Sequence, residues 1–196
     1  HLYFLIGDVS GKGVPASLFM AITRSLFRTL SQHVLSPAKI VTEMNNSISD
    51  NNESNMFVTL IVGILDLETG ILKLCNAGHN PPILIYPDGQ VSYLEFKTQI
   101  FVGVVEDFKY SDEEVVLEKE SKLFLYTDGV TEAENINKEL YGEEKLLEML
   151  SDNASSDVRT TVNVVVDSIA SHVKEAEASD DLTILLIQYE PGTANS

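Results

Sequence analysis

The sequence is poor in cysteine and in positive charge, and it has no long apolar run. Its one cysteine, Cys75, permits no internal disulfide and fits a reducing compartment, so the chain is expected to be cytoplasmic. Lying on an apolar stretch, Cys75 reads as a small core residue. Lysine and arginine number 13 against 30 aspartates and glutamates, a formal net charge of −17. Nucleic acids and anionic membranes both reward Lys and Arg, so neither is expected as a partner. Simple solubility accounts for the acidity as readily as any function does. No stretch approaches the ~20 apolar residues that cross a bilayer, and the first residues do not read as a signal peptide. Gly7–Gly13 is not a Walker loop: only three residues separate Gly7 from Gly11, and Gly13 stands where Ser or Thr is required. Ser10 lacks the G-x-S-x-G frame and a His/Asp partner pattern, which sets a serine hydrolase aside. What remains is 196 residues, 44% of them hydrophobic, enough for one domain with a real core.

The opening residues Leu2–Ile6 are already strand-like and run into Gly7-Asp8-Val9-Ser10-Gly11-Lys12-Gly13. With no lead-in, the chain reads as starting inside a domain whose first strand or strands lie upstream. Pro15 fits the first turn of a helix. Leu18, Ile22, Leu26 and Leu30 follow at i, i+4 spacing and predict its buried stripe. Ser36-Pro37 opens a second helix, with Ser36 as N-cap and Ile40, Val41, Met44 and Ile48 on its buried face. Ser49–Asn55 is polar and reads as a loop. The period then changes. Phe57–Leu65 is nearly continuous in apolar residues, so both its faces should be covered. Asp66–Gly70 reads as a turn and Ile71–Ala77 as the return strand. Ile83–Tyr86, Val91–Glu95, Tyr110–Leu117 and Lys122–Tyr126 are further strands. Glu143–Leu150 and Val158–Val173 are helices, the second with Val162, Val165, Ile169 and Val173 on one face. Leu182–Tyr189 is a last strand, and Pro191 to Ser196 reads as a tail. Many strands joined by short turns imply antiparallel hairpins. The expected fold is therefore α+β: two antiparallel sheets face to face with helices outside.

Three aspartate sites adjoin strand ends: Asp8 after Phe4–Gly7, Asp128 after Leu123–Thr127, and Asp180 or Asp181 before Leu182–Thr183. Carboxylates brought together repel one another, more so when desolvated, and cations must neutralise them. All-oxygen ligation suits Mg²⁺ or Mn²⁺, and no Cys/His spacing competes for zinc. Two such ions would support phosphoester hydrolysis. An isolated Asp-Gly is more often a turn former; the argument rests on its recurrence in one strand-end context.

Four blocks carry a specific resemblance: Gly7–Gly13, Asn76-Ala77-Gly78-His79-Asn80-Pro81, Tyr126-Thr127-Asp128-Gly129-Val130-Thr131-Glu132-Ala133, and Asp180-Asp181-Leu182-Thr183. In this order they resemble the signature motifs of the metal-dependent protein serine/threonine phosphatases, and most of all the bacterial branch typified by the stage II sporulation phosphatase and the sigma-factor regulators. The resemblance spans nearly the whole chain. It implies an αββα sandwich forming a single domain over residues 1–196, with its N-terminal portion missing. It also implies a pair of Mn²⁺ or Mg²⁺ ions. By motif, Asp8 would bridge the ions, the Val9 backbone carbonyl would bind one, and Asp128 and Asp180 would be further ligands. Asp181, Glu132 and Thr183 would support them, and Gly129 and Lys12 would lie near the phosphate. Lys12 reads equally as a solvated turn lysine, and His79 reads as a turn-bonding structural residue. The family also carries an acidic Gly-Gly-Asp motif before the Asp8 block, which this sequence does not include; weaker metal occupancy and activity are expected without it. The implied substrate is phosphoserine or phosphothreonine on a regulatory protein, such as an anti-sigma-factor antagonist. An upstream sensor or receiver domain is the expected neighbour in the chain. A strand edge left without its neighbour would favour a homodimer. The competing reading is a catalytically weak or inactive signalling module on the same fold.

Overall fold

The computed structural model describes every residue except 51, 53–54, 177–179 and 192–196. The chain divides into two compact units. The first comprises His1–His79 and Phe96–Val116, the second Asn80–Glu95 and Leu117–Ser196. Each contains one four-stranded antiparallel sheet and two helices.

The first unit holds β1 (Leu2–Val9), α1 (Val14–Leu30), α2 (Pro37–Ser49), β2 (Val58–Leu65), β3 (Ile71–Ala77) and, later in the chain, β6 (Glu113–Val116). Its sheet runs β1-β2-β3-β6. β2 is buried along nearly its whole length, as its nearly continuous apolar run predicts. The turn joining it to β3 closes on Asp66, whose carboxylate accepts the Glu68 and Thr69 amides; those bonds hold its pKa below the usual value. α2 is capped by Ser36, whose hydroxyl accepts the Lys39 amide at 3.2 Å. Asp112 reinforces this end by accepting from the Ser36 hydroxyl and the Ala38 amide. Ile40, Val41, Met44 and Ile48 are buried against β2 and β3, as expected. Each such side chain contributes about 1.5–3 kcal/mol of transfer free energy.

α1 differs from the expectation. Leu18 and Ile22 are 61% and 53% exposed, and the packed row is Ala16, Phe19, Met20, Thr23, Leu26, Phe27 and Leu30. The reason is geometric. Each i, i+4 step turns about 40° beyond a full revolution, so a row of four such residues winds out of one face into the next. Only Leu26 and Leu30 reach the core side.

The second unit holds β4 (Ile83–Ile85), β5 (Val91–Tyr93), β7 (Lys122–Tyr126), α3 (Glu143–Asp152), α4 (Val158–Val173) and β8 (Ile184–Gln188), with sheet order β5-β4-β7-β8. β7 is buried at every residue. Ile83, Ile85, Phe124 and Tyr126 pack with Leu146 and Leu150 of α3 and Val165 and Ile169 of α4. Thr161 joins Val165 and Ile169 as the fully buried row of α4, with Val162 and Val173 half-buried beside it. Lys122 at the start of β7 is buried. Its ammonium donates to the Ala154 and Ser156 carbonyls in the α3–α4 turn, and burial lowers its pKa. No described helix is long and apolar enough to cross a membrane.

Strand ends are shorter than the apolar patterns suggest. The expected Tyr110–Leu117 pairs only over Glu113–Val116, because preceding groups bond elsewhere. The Tyr110 amide donates to Thr42, the Ser111 amide to Gln99, and Asp112 caps α2. Parts of the expected 49–55 loop, and all but Pro191 of the expected tail, lie outside the described residues, as do residues 177–179.

Candidate functional site

In the first unit, Asp8 is the penultimate residue of β1, half-buried and paired in register with Thr59. The chain turns immediately afterwards. Ser10 and Phe57 lock the turn reciprocally: the Ser10 amide donates to the Phe57 carbonyl at 2.9 Å, and the Phe57 amide donates to the Ser10 hydroxyl at 2.8 Å. That hydroxyl is a structural acceptor, in keeping with the rejection of a serine nucleophile. Gly11 and Gly13 then take φ of 84° and 79°, a region where a side chain would be strained, and the chain enters α1. Val9 is buried in the core, and Lys12 is exposed on the turn. His79 is 3% exposed and structural, as expected: the Asn76 side chain brackets its backbone, and the Thr59 hydroxyl meets its Nδ1 at 2.9 Å.

In the second unit, β7 ends at Tyr126, and Thr127-Asp128-Gly129 forms a tight turn. The Val130 amide donates to the Thr127 carbonyl at 3.0 Å, and the Glu132 amide to the Asp128 carbonyl at 2.7 Å. The segment before β8 lies against this turn. Thr127 bonds it three ways: its amide donates to the Thr183 carbonyl at 3.1 Å, its hydroxyl donates to the Asp181 carbonyl at 3.2 Å, and that hydroxyl accepts the Thr183 amide at 3.1 Å. Gly129 permits the approach: a Cβ on it would meet the Asp181 carbonyl oxygen at 2.4 Å. A carboxylate oxygen of Asp128 then lies within 4.8 Å of one of Asp180. Asp128 Oδ1 is buried and has no hydrogen-bond donor, while Asp180 is exposed. Neither carboxylate forms an ion pair with Lys, Arg or His among the described residues.

The structure thus brings Asp128, Gly129, Asp180, Asp181 and Thr183 together in the second unit, and it places Asp8, Val9 and Lys12 in the first. Thr183 takes part through its backbone, and Asp181 through its carbonyl. The Asp181 side chain and Glu132 are exposed. Sequence reasoning missed Thr127 as a separate contributor. Its one signal was its place in the motif beside Asp128.

Each unit thus has two helices and a four-stranded antiparallel sheet, and the second carries an acidic pair near the end of β7 and the start of β8. The family model described as Stage II sporulation protein E (SpoIIE) matches residues 1–190, and the chain belongs to that family. It is 26% identical over 184 residues to phosphoserine phosphatase RsbU of Bacillus subtilis (strain 168), covering 93% of this chain and 54% of that protein. Among solved structures, the SiaA-PP2C domain of Pseudomonas aeruginosa matches with a TM-score of 0.80 at 24% identity, over 96% of this chain and 79% of that one. The catalytic domain of the serine/threonine protein phosphatase PstP, in complex with two manganese ions, matches with a TM-score of 0.64 at 13% identity, over 94% and 86% of the two chains. The chain spans between 33% and 54% of the length of three curated relatives it matches.

Proposed function

We propose that residues 1–196 act as one metal-dependent phosphatase domain that removes phosphate from phosphoserine or phosphothreonine on a regulatory protein. The observation that carries the reading is the Asp128 carboxylate. A buried carboxylate oxygen within 4.8 Å of a second carboxylate, with no donor to it and no cationic side chain paired to either among the described residues, is costly unless a cation meets it. The donor set is all oxygen, which suits Mn²⁺ or Mg²⁺. Family membership and the phosphatase activity named for RsbU point the same way.

In this reading Asp128 and Asp180 are metal ligands of the second unit, and the motif match makes Asp8 and the Val9 carbonyl ligands in the first. When bound, the ions would supply Lewis acidity toward a phosphoryl oxygen and lower the pKa of a water. The chain's own residues do the positioning. The Ser10–Phe57 bonds fix where β1 releases Asp8, and the turn at Gly129 fixes Asp128. Lys12, exposed on a turn ahead of a helix N-terminus, would attract an anion. Water activated at such a metal site would be the nucleophile, so no covalent phosphoenzyme is expected. The partner is a phosphorylated regulatory protein. An upstream sensor or receiver domain fits a chain that spans a third to a half of its relatives. β1, an edge strand of its sheet, is where a homodimer would pair. Single-cysteine usage fits the cytoplasm.

The test is hydrolysis of a phosphoserine protein with and without Mn²⁺, alongside Asp8→Asn and Asp128→Asn. Each substitution alters a proposed ligand itself and should cut turnover by more than the roughly 10- to 100-fold that changes to a ligand's outer partners cost. Turnover that survives EDTA, or that persists in Asp128→Asn, would overturn the proposal.

A further inference from the structure

Asp128 and Asp180 belong to segments far apart in the chain, and a single side chain joins them. Thr127 is 3% exposed, and its hydroxyl works in both roles: it donates to the Asp181 carbonyl and accepts the Thr183 amide, partners 54 and 56 residues away. No other described side-chain hydrogen bond joins the Asp128 turn to the Asp180–Thr183 segment. Asp128 is thereby bracketed by a clamp on one side, at Thr127, and a close backbone approach on the other, at Gly129. The Asp181 amide in turn donates to the Asp180 carboxylate at 2.8 Å, so the position of the Asp181 backbone is passed to Asp180.

We propose that Thr127 is a positioning residue whose hydroxyl sets the spacing of the Asp128 and Asp180 carboxylates, and so the affinity of the protein for a divalent cation. This rests on the metal site proposed above. Thr127 touches no substrate itself. It acts by holding the carbonyl and amide that flank Leu182, and a residue without a hydroxyl cannot satisfy both. Outer partners of this kind typically change metal affinity 10- to 100-fold when removed.

The experiment titrates Mn²⁺ by calorimetry into the protein and into Thr127→Val, Thr127→Ala and Thr127→Ser, with metal-free melting temperatures measured in parallel. Thr127→Val and Thr127→Ala should weaken Mn²⁺ binding about 10- to 100-fold. Thr127→Ser should restore affinity close to the unsubstituted protein. For p-nitrophenyl phosphate, the apparent requirement for Mn²⁺ should rise while KM at saturating metal stays near its original value. A purely structural role would lower the melting temperature and leave the affinity of the folded protein unchanged; that result overturns the proposal. So does a Thr127→Ser variant as weak as Thr127→Val, since packing and not the hydroxyl would then be responsible. Absence of Mn²⁺ binding in the unsubstituted protein would instead sink the metal site itself, and this inference with it.

Discussion

Replacing Gly129 with alanine tests how tightly the two segments of the second unit are pressed together. Its φ lies outside the left-handed region, so the cost is steric alone. The added Cβ would stand 2.4 Å from the Asp181 carbonyl oxygen and 3.0 Å from its carbonyl carbon, where ordinary contact begins at 3.4 Å. One segment must therefore yield by about 1 Å. Both opposing atoms are backbone, so no rotamer change relieves the clash. The same oxygen accepts the Thr127 hydroxyl at 3.2 Å, and a shift of that size breaks the bond. Overpacking costs about 1–3 kcal/mol, and the lost hydrogen bond about 1 kcal/mol more. The total of about 2–4 kcal/mol corresponds to a fall in Tm of about 4–16 °C for a domain of this size. Turnover should fall as well, by about 100-fold for a 1 Å misplacement of an active group. Thermal unfolding followed by circular dichroism, with kcat measured at saturating Mn²⁺ well below the Tm, reads both effects. An alanine variant that melts within 1 °C of the original and turns over within about twofold would refute the packing argument.

Two further outcomes follow from buried polar groups. The Cys75 thiol is pushed from 9.0 up to about 12, chiefly by burial and secondarily by the Asp112 charge. Above about pH 9 the unfolded thiol loses its proton while the folded one keeps it, so stability falls with rising pH by about 1.4 kcal/mol per unit until about pH 12. Urea unfolding of the protein and of Cys75→Ala should therefore show a stability difference that shifts by about 1.4 kcal/mol between pH 8 and pH 10; a constant difference would contradict the assignment. Lys122→Met should cost about 1–3 kcal/mol, since it strands the Ala154 and Ser156 carbonyls in the α3–α4 turn. An unchanged urea midpoint would show that those carbonyls find other donors.

The fold was most legible where one local signal bounded an element. β7 and α4 were read to the residue, the first over Lys122–Tyr126 and the second over Val158–Val173 from its apolar periodicity. Legibility failed where a distant partner decided. Nothing local to Tyr110–Asp112 says that its amides and carboxylate answer to Thr42, Gln99 and α2. On α1 the i, i+4 row was real but not aligned with the packed face, and only the position of the sheet settles which row is inside. For the candidate site, residue types and motif order pointed to Asp8, Asp128 and Asp180. The Thr127 clamp was invisible, because its bonds cross more than fifty residues and leave no periodic trace.

The stitching of the Asp128 turn to the strand that follows Asp180 has a consequence for biosynthesis. A ribosome delivers Asp128 long before the segment that Thr127 grips, 54 residues later. Until that segment emerges and β8 zips onto β7, a nascent chain carries the Asp128 carboxylate without its Asp180 neighbour, and the repulsion between the two is met only once the second sheet closes.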